Sequence, residues 1–350
     1  MSDTIEAAPP PRLDERMGRK SALARLFARP EAGALAGAII IYVFFFIVAP
    51  PFRDASSFSS VLYVSSTYGL MAAPVALLMI GGEFDLSAGV AVTSSALCAS
   101  LFDYEFTTNI WVGVLVALGL SLFIGFLNGW IVVKTGIPSF LVTLGTFFML
   151  QGLNLALTQT ITNQVASPGI SDMQGFSSAQ KVFASSFTIG GVNIRVTIVY
   201  WIVVTAIATW ILLRTRVGNW IFSVGGSAPS ARAVGVPVAR VKIGLFMAVG
   251  LLAWFVGMHT LFEFNTVQSG QGVGNEFVYI IAAVVGGCLL TGGYGSAVGA
   301  GIGALIFGMV NQGIVYAGWN PDWFLFFVGA LLLGAILLNT YIRRRAEANR

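Results

Sequence analysis

The sequence predicts an all-α integral membrane protein of about ten transmembrane helices, some broken at glycine-rich stretches, with the N- and C-termini cytoplasmic. Three observations carry that expectation. Of 350 residues, 56% are hydrophobic and only 10% charged, where a soluble domain averages about 25% charged. Apolar runs near the ~20 residues that cross ~30 Å of hydrocarbon fall at about 32–50, 60–80, 86–102, 111–133, 139–158, 196–213, 241–262, 277–290, 293–316 and 322–341. Of the 19 lysines and arginines, all but Arg53, Lys181 and Arg195 fall in segments that ten crossings from an inside N-terminus keep inside. That is the bias the positive-inside rule describes, and an odd number of crossings would put the basic end around Arg343, Arg344 and Arg345 outside.

Residues 1–30 carry Pro9 to Pro11 and the cations Arg12, Arg16, Arg19, Lys20, Arg25 and Arg29, which reads as a solvated tail ending in an interfacial helix. The first apolar run starts near Gly33, too deep for a secretory signal and without a small-residue cleavage site, so it is expected to stay as an anchor. Residues 31–341 form the expected membrane domain and 342–350 a basic tail. The pI near 9.2 comes from cations at helix ends, a topology signal rather than a nucleic-acid footprint. Cys98 and Cys288 sit in apolar segments and read as packed free thiols. His259, the single histidine, has no metal-spaced companion and reads as a hydrogen-bonded packing residue; no metal site and no cofactor are expected.

Between the second and third runs, GGEFDLSAG (Gly81 to Gly89) places Glu83, Asp85 and Ser87 between apolar helices with no cation nearby in sequence. Ionisable groups at such depth are often functional, but Gly81 and Gly82 also permit a helix break that Asp85 or Ser87 caps. In the fifth run, ~100° per residue puts Thr143, Thr146, Gln151, Asn154 and Thr158 on an arc of about 140°, with Gly145 and Gly152 opposite. That polar face fits a solute path and equally fits interhelical hydrogen bonding. Asn128 in GFLNGWIV and Asn311 in GMVNQGIV, with GG at 81–82 and 286–287, form a faint echo of two related halves. No GxxxxGK[ST], HExxH or GxSxG is present, so an ATPase, zinc protease or serine hydrolase site is excluded by motif and the chain is not expected to be an enzyme.

The longest polar segment between apolar runs, Arg214 to Lys242, holds Arg214, Arg216, Arg232, Arg240 and Lys242 and no acid, so it is expected to face the cytoplasm. Ser227 as N-cap, Pro229 in the first turn, Gly235 as a left-handed stop and Pro237 beyond it define a helix over Ala228 to Val234. So short a helix needs support to persist; it either docks on a cytoplasmic partner or forms a well-capped loop.

From Val61 to Leu338 the chain resembles the permease subunits of bacterial ABC importers for simple sugars, the ribose, xylose and galactose permease family. The resemblance rests on four stretches in order: GGEFDLSAG, GIPSFLVTLGTFFMLQGL, VGGSAPSARAVGVPVARVK and EFVYIIAAVVGGCLLTGGYGSAVGAGIGALIFGMVNQGI. It implies that Gly226, Ser227, Ala228, Pro229, Ser230, Ala231, Arg232, Ala233 and Gly235 belong to a coupling helix seated on a cytoplasmic ATP-binding subunit. It further implies a second permease, either a copy or a sister chain, and an extracytoplasmic solute-binding protein. A small-molecule sugar or polyol would be the cargo, in a bacterial inner-membrane protein surrounded by lipid, with no nucleic acid involved. Candidate path residues are Glu83, Asp85, Ser87, Asn128, Thr143, Thr146, Gln151, Asn154 and Asn311. The chain departs from the family pattern at Glu83, Gln151, Ser227, Pro237 and Tyr279. An ion-coupled carrier using Glu83 and Asp85 is the competing expectation.

Overall fold

The computed structural model describes residues 30–107 and 109–348; of the N-terminal tail expected at 1–30, residues 1–29 lie outside the described residues. The chain runs α1 (Pro30–Val48), a 3-10 turn (Pro50–Arg53), α2 (Ala55–Ile80), α3 (Ala88–Phe106), α4 (Ile110–Thr135), α5 (Ser139–Thr162), α6 (Phe176–Phe183), β1 (Ser186–Ile189), β2 (Val192–Arg195) and α7 (Val196–Arg214). It continues through α8 (Arg216–Gly226), α9 (Ala228–Ala233), α10 (Val238–Phe264), α11 (Asn275–Val285), α12 (Ala297–Tyr316) and α13 (Trp323–Ala348). The last helix therefore continues past the boundary expected at 341.

Among the described residues, seven helices, α1, α2, α4, α5, α7, α10 and α12, are long and apolar enough to cross a membrane. Of the other three expected spans, the one at 322–341 has its apolar part in Trp323–Ala335, and two differ for identifiable reasons. α3 is 19 residues long but buries Thr93, Ser94, Ser95, Ser100 and Asp103, which lowers its hydropathy. The expected run at 277–290 contracts to the 11-residue α11, about 16 Å at ~1.5 Å per residue, and the next helix starts at Ala297 rather than 293. The second change follows from Gly292, Gly293 and Gly295 at positive φ and the cap at Ser296, whose hydroxyl accepts from Gly299 N–H (3.2 Å), the first from the glycine pair that closes α11.

That closure repeats the one on α2. Gly82 N–H donates to the Met79 carbonyl (2.9 Å) and Glu83 N–H to Leu78 (3.1 Å); Gly287 N–H donates to Val284 (2.9 Å) and Cys288 N–H to Ala283 (2.9 Å). Each pair is a Schellman motif, which needs a left-handed residue, supplied by Gly82 at φ 84° and Gly287 at φ 93°. The faint GG echo in the sequence is thus one backbone device used twice.

α2 and α12 are buried along most of their length, whereas α1, α5 and α7 leave large apolar side chains exposed, as helices facing lipid do. α4 crosses α10 closely: a Cβ on Gly250 would lie 2.4 Å from the Ser121 carbonyl oxygen. At the opposite end from α8 and α9, α6 lays Phe183 in a stack with Phe262 of α10 (centroids 5.5 Å apart). The β1–β2 hairpin follows, in register from Ser186 opposite Arg195 to Ile189 opposite Val192. Its two-residue turn has Gly190 and Gly191 both at positive φ, which suits the right-handed strand twist.

Candidate functional site

Three glycine pairs meet at one point of the fold. Gly81 and Gly82 end α2, Gly225 and Gly226 end α8, and Gly292 and Gly293 lie in the turn between α11 and α12. Gly293 N–H donates to the Ile80 carbonyl (2.8 Å). A Cβ on Gly225 would lie 1.7 Å from that same carbonyl oxygen, and one on Gly292 2.7 Å from Gly82 Cα. The three turns therefore touch backbone to backbone, with no room for a side chain at Gly225 or Gly292. The segment that carries α9 is in direct contact with both helix breaks.

The exposed backbone of the α2–α3 break is served by α5. Phe84 N–H donates to Ser139 Oγ (3.0 Å) and Leu86 N–H to Thr143 Oγ1 (3.0 Å), two residues one turn apart on one face of α5. Asp85 Oδ1 accepts from both the N–H and the hydroxyl of Ser87 (2.8 and 2.6 Å), so it closes the turn into α3. Asn128 Nδ2 donates to Ser87 Oγ (3.0 Å) and Thr146 Oγ1 donates to Asn128 Oδ1 (2.6 Å). Asp85, Ser87, Asn128 and Thr146 thereby form one buried hydrogen-bonded chain that ties the start of α3 to α4 and α5, and Thr143 lies beside it on Leu86 N–H. Asn154 lies farther along α5, with Nδ2 3.5 Å from the Val90 carbonyl. Gln151 is half-buried between these positions, and Asn311 sits elsewhere.

Glu83 differs from its neighbours. No cation is near it in sequence, but the fold brings Lys242, at the start of α10, into an ion pair with it. The two are 159 positions apart, which is why sequence inspection missed the pairing. Lys242 belongs to the same polar segment as α9, so this pair is a second link between that segment and the α2–α3 break.

The polar segment itself holds two helices where one was expected. α8 is amphipathic and buries Gly218, Ile221 and Val224. α9 begins at Ser227, whose hydroxyl accepts from Ser230 N–H (3.3 Å), and stops at Gly235 (φ 84°), as its caps predicted. Ala231 is the buried residue of α9, while Pro229, Ser230, Arg232, Ala233 and Val234 are exposed. Val234, at 80% exposure, is an apolar side chain at the tip of a short capped helix.

A polar cavity of about 280 Å³ lies between α2, α3, α10, α11 and α12, remote from the glycine contact. Asn311 lines it, with Tyr63, Tyr68, Thr93, Gln271, Asn275 and Tyr279, which the sequence reading missed, and with apolar side chains such as Val64, Val92, Val256 and Phe264 between them. The available signal was polar or aromatic residues four apart in apolar helices, Tyr63 with Thr67 and Asn275 with Tyr279. His259 also lines it; its Nδ1–H donates to the Phe183 carbonyl (2.9 Å), so its Nε2 accepts from the Tyr63 hydroxyl (3.1 Å). Above Tyr63, Arg195 stacks its guanidinium 5.5 Å from the ring centroid and pairs with Glu263 (2.7 Å). Among the described residues, no group of three His, Cys, Asp or Glu could hold a metal ion.

A two-ended helical body with a capped, exposed knuckle at one end is the architecture on which similarity to known proteins bears. The family described as "Branched-chain amino acid transport system / permease component" matches residues 57–336. The chain belongs to this permease family. The permease is 30% identical over 317 residues to a probable ABC transporter permease of Escherichia coli K12, covering 91% of each chain. It is 29% identical over 304 residues to the galactose/methyl galactoside import permease of Haemophilus influenzae, covering 83% of this chain and 88% of that one. Identity to the ribose import permease of Escherichia coli K12 is 29% over 312 residues, 88% and 93% of the two chains. No solved structure matches it. Like the family, the permease is a protein of the bacterial inner membrane, and its apolar helices fit that setting.

Proposed function

We propose that this chain is the membrane-spanning subunit of an ABC importer that forms the path for a monosaccharide or similarly small polar solute. An extracytoplasmic binding protein delivers the solute and a partner chain hydrolyses the ATP. In this reading α1, α2, α3, α4, α5, α7, α10, α11, α12 and α13 make ten crossings. The end bearing α8 and α9 faces the cytoplasm, because Arg214, Arg216, Arg232, Arg240 and Lys242 gather there. The membrane domain spans 31–341 and 214–242 is the coupling loop.

The observation that carries the proposal is the contact of the α9 segment with both helix breaks. A force applied to the exposed face of α9 reaches Gly82 and Gly292 through backbone alone, and close-packed contacts transmit displacement instead of absorbing it. The competing ion-coupled carrier needs carboxylates free to bind an ion. Glu83 is paired with Lys242 and Asp85 Oδ1 is engaged twice by Ser87 in closing the turn into α3, which favours the importer reading.

Gly235→Val tests it. The left-handed stop of α9 has open space around it, so the substitution strains the helix end by about 1–2 kcal/mol without touching the core. The expected result is a chain that folds and inserts normally but releases its co-purifying ATPase, or leaves ATP hydrolysis running without uptake. Unchanged coupled uptake would count against the role of α9.

A further inference from the structure

We infer that the cavity between α2, α3, α10, α11 and α12 is a binding site for an uncharged polyhydroxylated solute of monosaccharide size, held within a single permease chain. This rests on the importer reading and makes it more specific. The family description names amino acids, whereas the relatives' names include galactose and ribose, and the chemistry of the cavity decides between them.

No Asp, Glu, Lys or Arg lines it. The charged groups around it are already committed. Arg195 and Glu263 pair with each other (2.7 Å) above Tyr63. The buried Glu276 carboxylate accepts from Gly274 N–H with both oxygens at 3.1 Å, placing a negative charge on the N-terminus of α11 where an anionic ligand would otherwise settle. His259 is held by a carbonyl on one nitrogen and a phenol on the other, an arrangement that suits the neutral ring. A zwitterionic amino acid buried here would leave both its charges without partners, at a penalty of several kcal/mol each.

The lining does match a polyol. Gln271, Asn275 and Asn311 each carry a donor and an acceptor on one amide, and the Thr67, Thr93, Tyr68 and Tyr279 hydroxyls do both as well. A sugar hydroxyl likewise donates and accepts, so such groups satisfy it without any charge. The aromatic rings offer apolar faces to the C–H faces of a pyranose or furanose. A volume of about 280 Å³ falls just short of the about 300 Å³ at which sites for drug-sized ligands begin, as suits a smaller, single-ring solute.

The test uses the complete importer, this chain with its ATPase and binding protein, and measures ATP-dependent uptake of labelled galactose, ribose, fructose, myo-inositol and leucine. Asn311→Asp, nearly isosteric, and Gln271→Glu, at an exposed position, each place a charge in the lining. Uptake of at least one polyhydroxylated probe is expected, falling tenfold or more in Asn311→Asp and several-fold in Gln271→Glu, with as much ATPase co-purifying as in the wild type. Should Asn311→Asp fail to insert, Gln271→Glu carries the test. Unaltered polyol uptake in the variants would overturn the site while leaving the importer reading intact. Uptake of leucine alone, or of none of the polyhydroxylated probes, would overturn the solute class. Uptake driven by an ion gradient without any ATPase would instead overturn the importer reading itself.

Discussion

The glycine contact and the polar cavity are built from two of the same helices and obey opposite rules. α2 supplies Tyr63 and Tyr68 to the cavity and Gly81 and Gly82 to the contact; α11 supplies Asn275 and Tyr279 to the one and runs into the Gly286–Gly287 break that leads to the other. Along α2 the two lie about 20–28 Å apart, counting from Tyr68 and from Tyr63, at ~1.5 Å per residue. At the contact, three backbones meet with no side chain between them. In the cavity, side chains with unused hydrogen-bonding capacity surround open volume. Transmission needs parts that cannot yield, and recognition needs parts that can exchange water for solute. α2 joins the two, with Pro74 between them, and under the proposed coupling a displacement at α9 would reach the cavity wall through it.

The largest effect should come from Gly225→Ala. Its Cβ would lie 1.7 Å from the Ile80 carbonyl oxygen and 2.7 Å from Gly293 N, both backbone atoms that cannot rotate away. Separating the turns should destabilise the chain by about 3 kcal/mol, the upper range for overpacking, and abolish coupled uptake. Its neighbour is the control, because a Cβ on Gly226 meets nothing within 4 Å and Gly226→Ala should stay within about 0.5 kcal/mol. Thermal unfolding of both purified variants in detergent, with uptake in parallel, makes the comparison. Equal tolerance would mean that the turns separate in the working protein.

Glu83→Gln ranks next. It leaves the Lys242 ammonium, 20% exposed, beside the break without its counter-charge. Removing one partner of a fully buried pair costs about 3–5 kcal/mol, and partial exposure should bring this to about 2. Adding Lys242→Met should restore most of that stability, because removing both charges can be nearly neutral. ATP-driven uptake should survive in the double variant. Its loss there, without rescue, would return Glu83 to the role of an ion-binding carboxylate.

How far the sequence foretold these two regions differs for the same physical reason that separates them. The break at Gly81–Gly82, the cap at Ser227 and the stop at Gly235 were legible because capping and left-handed glycine are local, decided within a turn of chain. The membrane class and helix-rich architecture were legible from composition and run length. What the three glycine turns do together was not, since Gly82, Gly225 and Gly292 carry no side-chain signal and meet only in three dimensions. Lys242 was read as an orientation charge because its partner is 159 positions away. α8 was folded into a loop because Gly218, Gly225 and Gly226 obscured its apolar stripe. The polar arc of α5 was read correctly as a face, yet Thr143 and Thr146 spend it on the α2–α3 break and on Asn128. The cavity was nearly invisible because Tyr63, Tyr68 and Tyr279 count among the hydrophobic residues of the composition and Asn275 and Gln271 fall between spans.

The smallest change sharpens the cavity side of the comparison. Tyr63→Phe keeps the ring under the Arg195 guanidinium but removes the hydroxyl that donates to His259 Nε2 (3.1 Å). His259 is 2% exposed, so its acceptor is left unmatched and the chain should lose about 1 kcal/mol, the low end of the penalty for a buried unsatisfied group. Because that hydroxyl is already engaged with the histidine, the half-saturation concentration for uptake should change less than about threefold, a shift worth under ~0.7 kcal/mol. If uptake instead falls tenfold or more while stability holds, Tyr63 gives its hydroxyl to the solute and lets go of His259 on binding. The pair would then belong to recognition rather than to the cavity's scaffold.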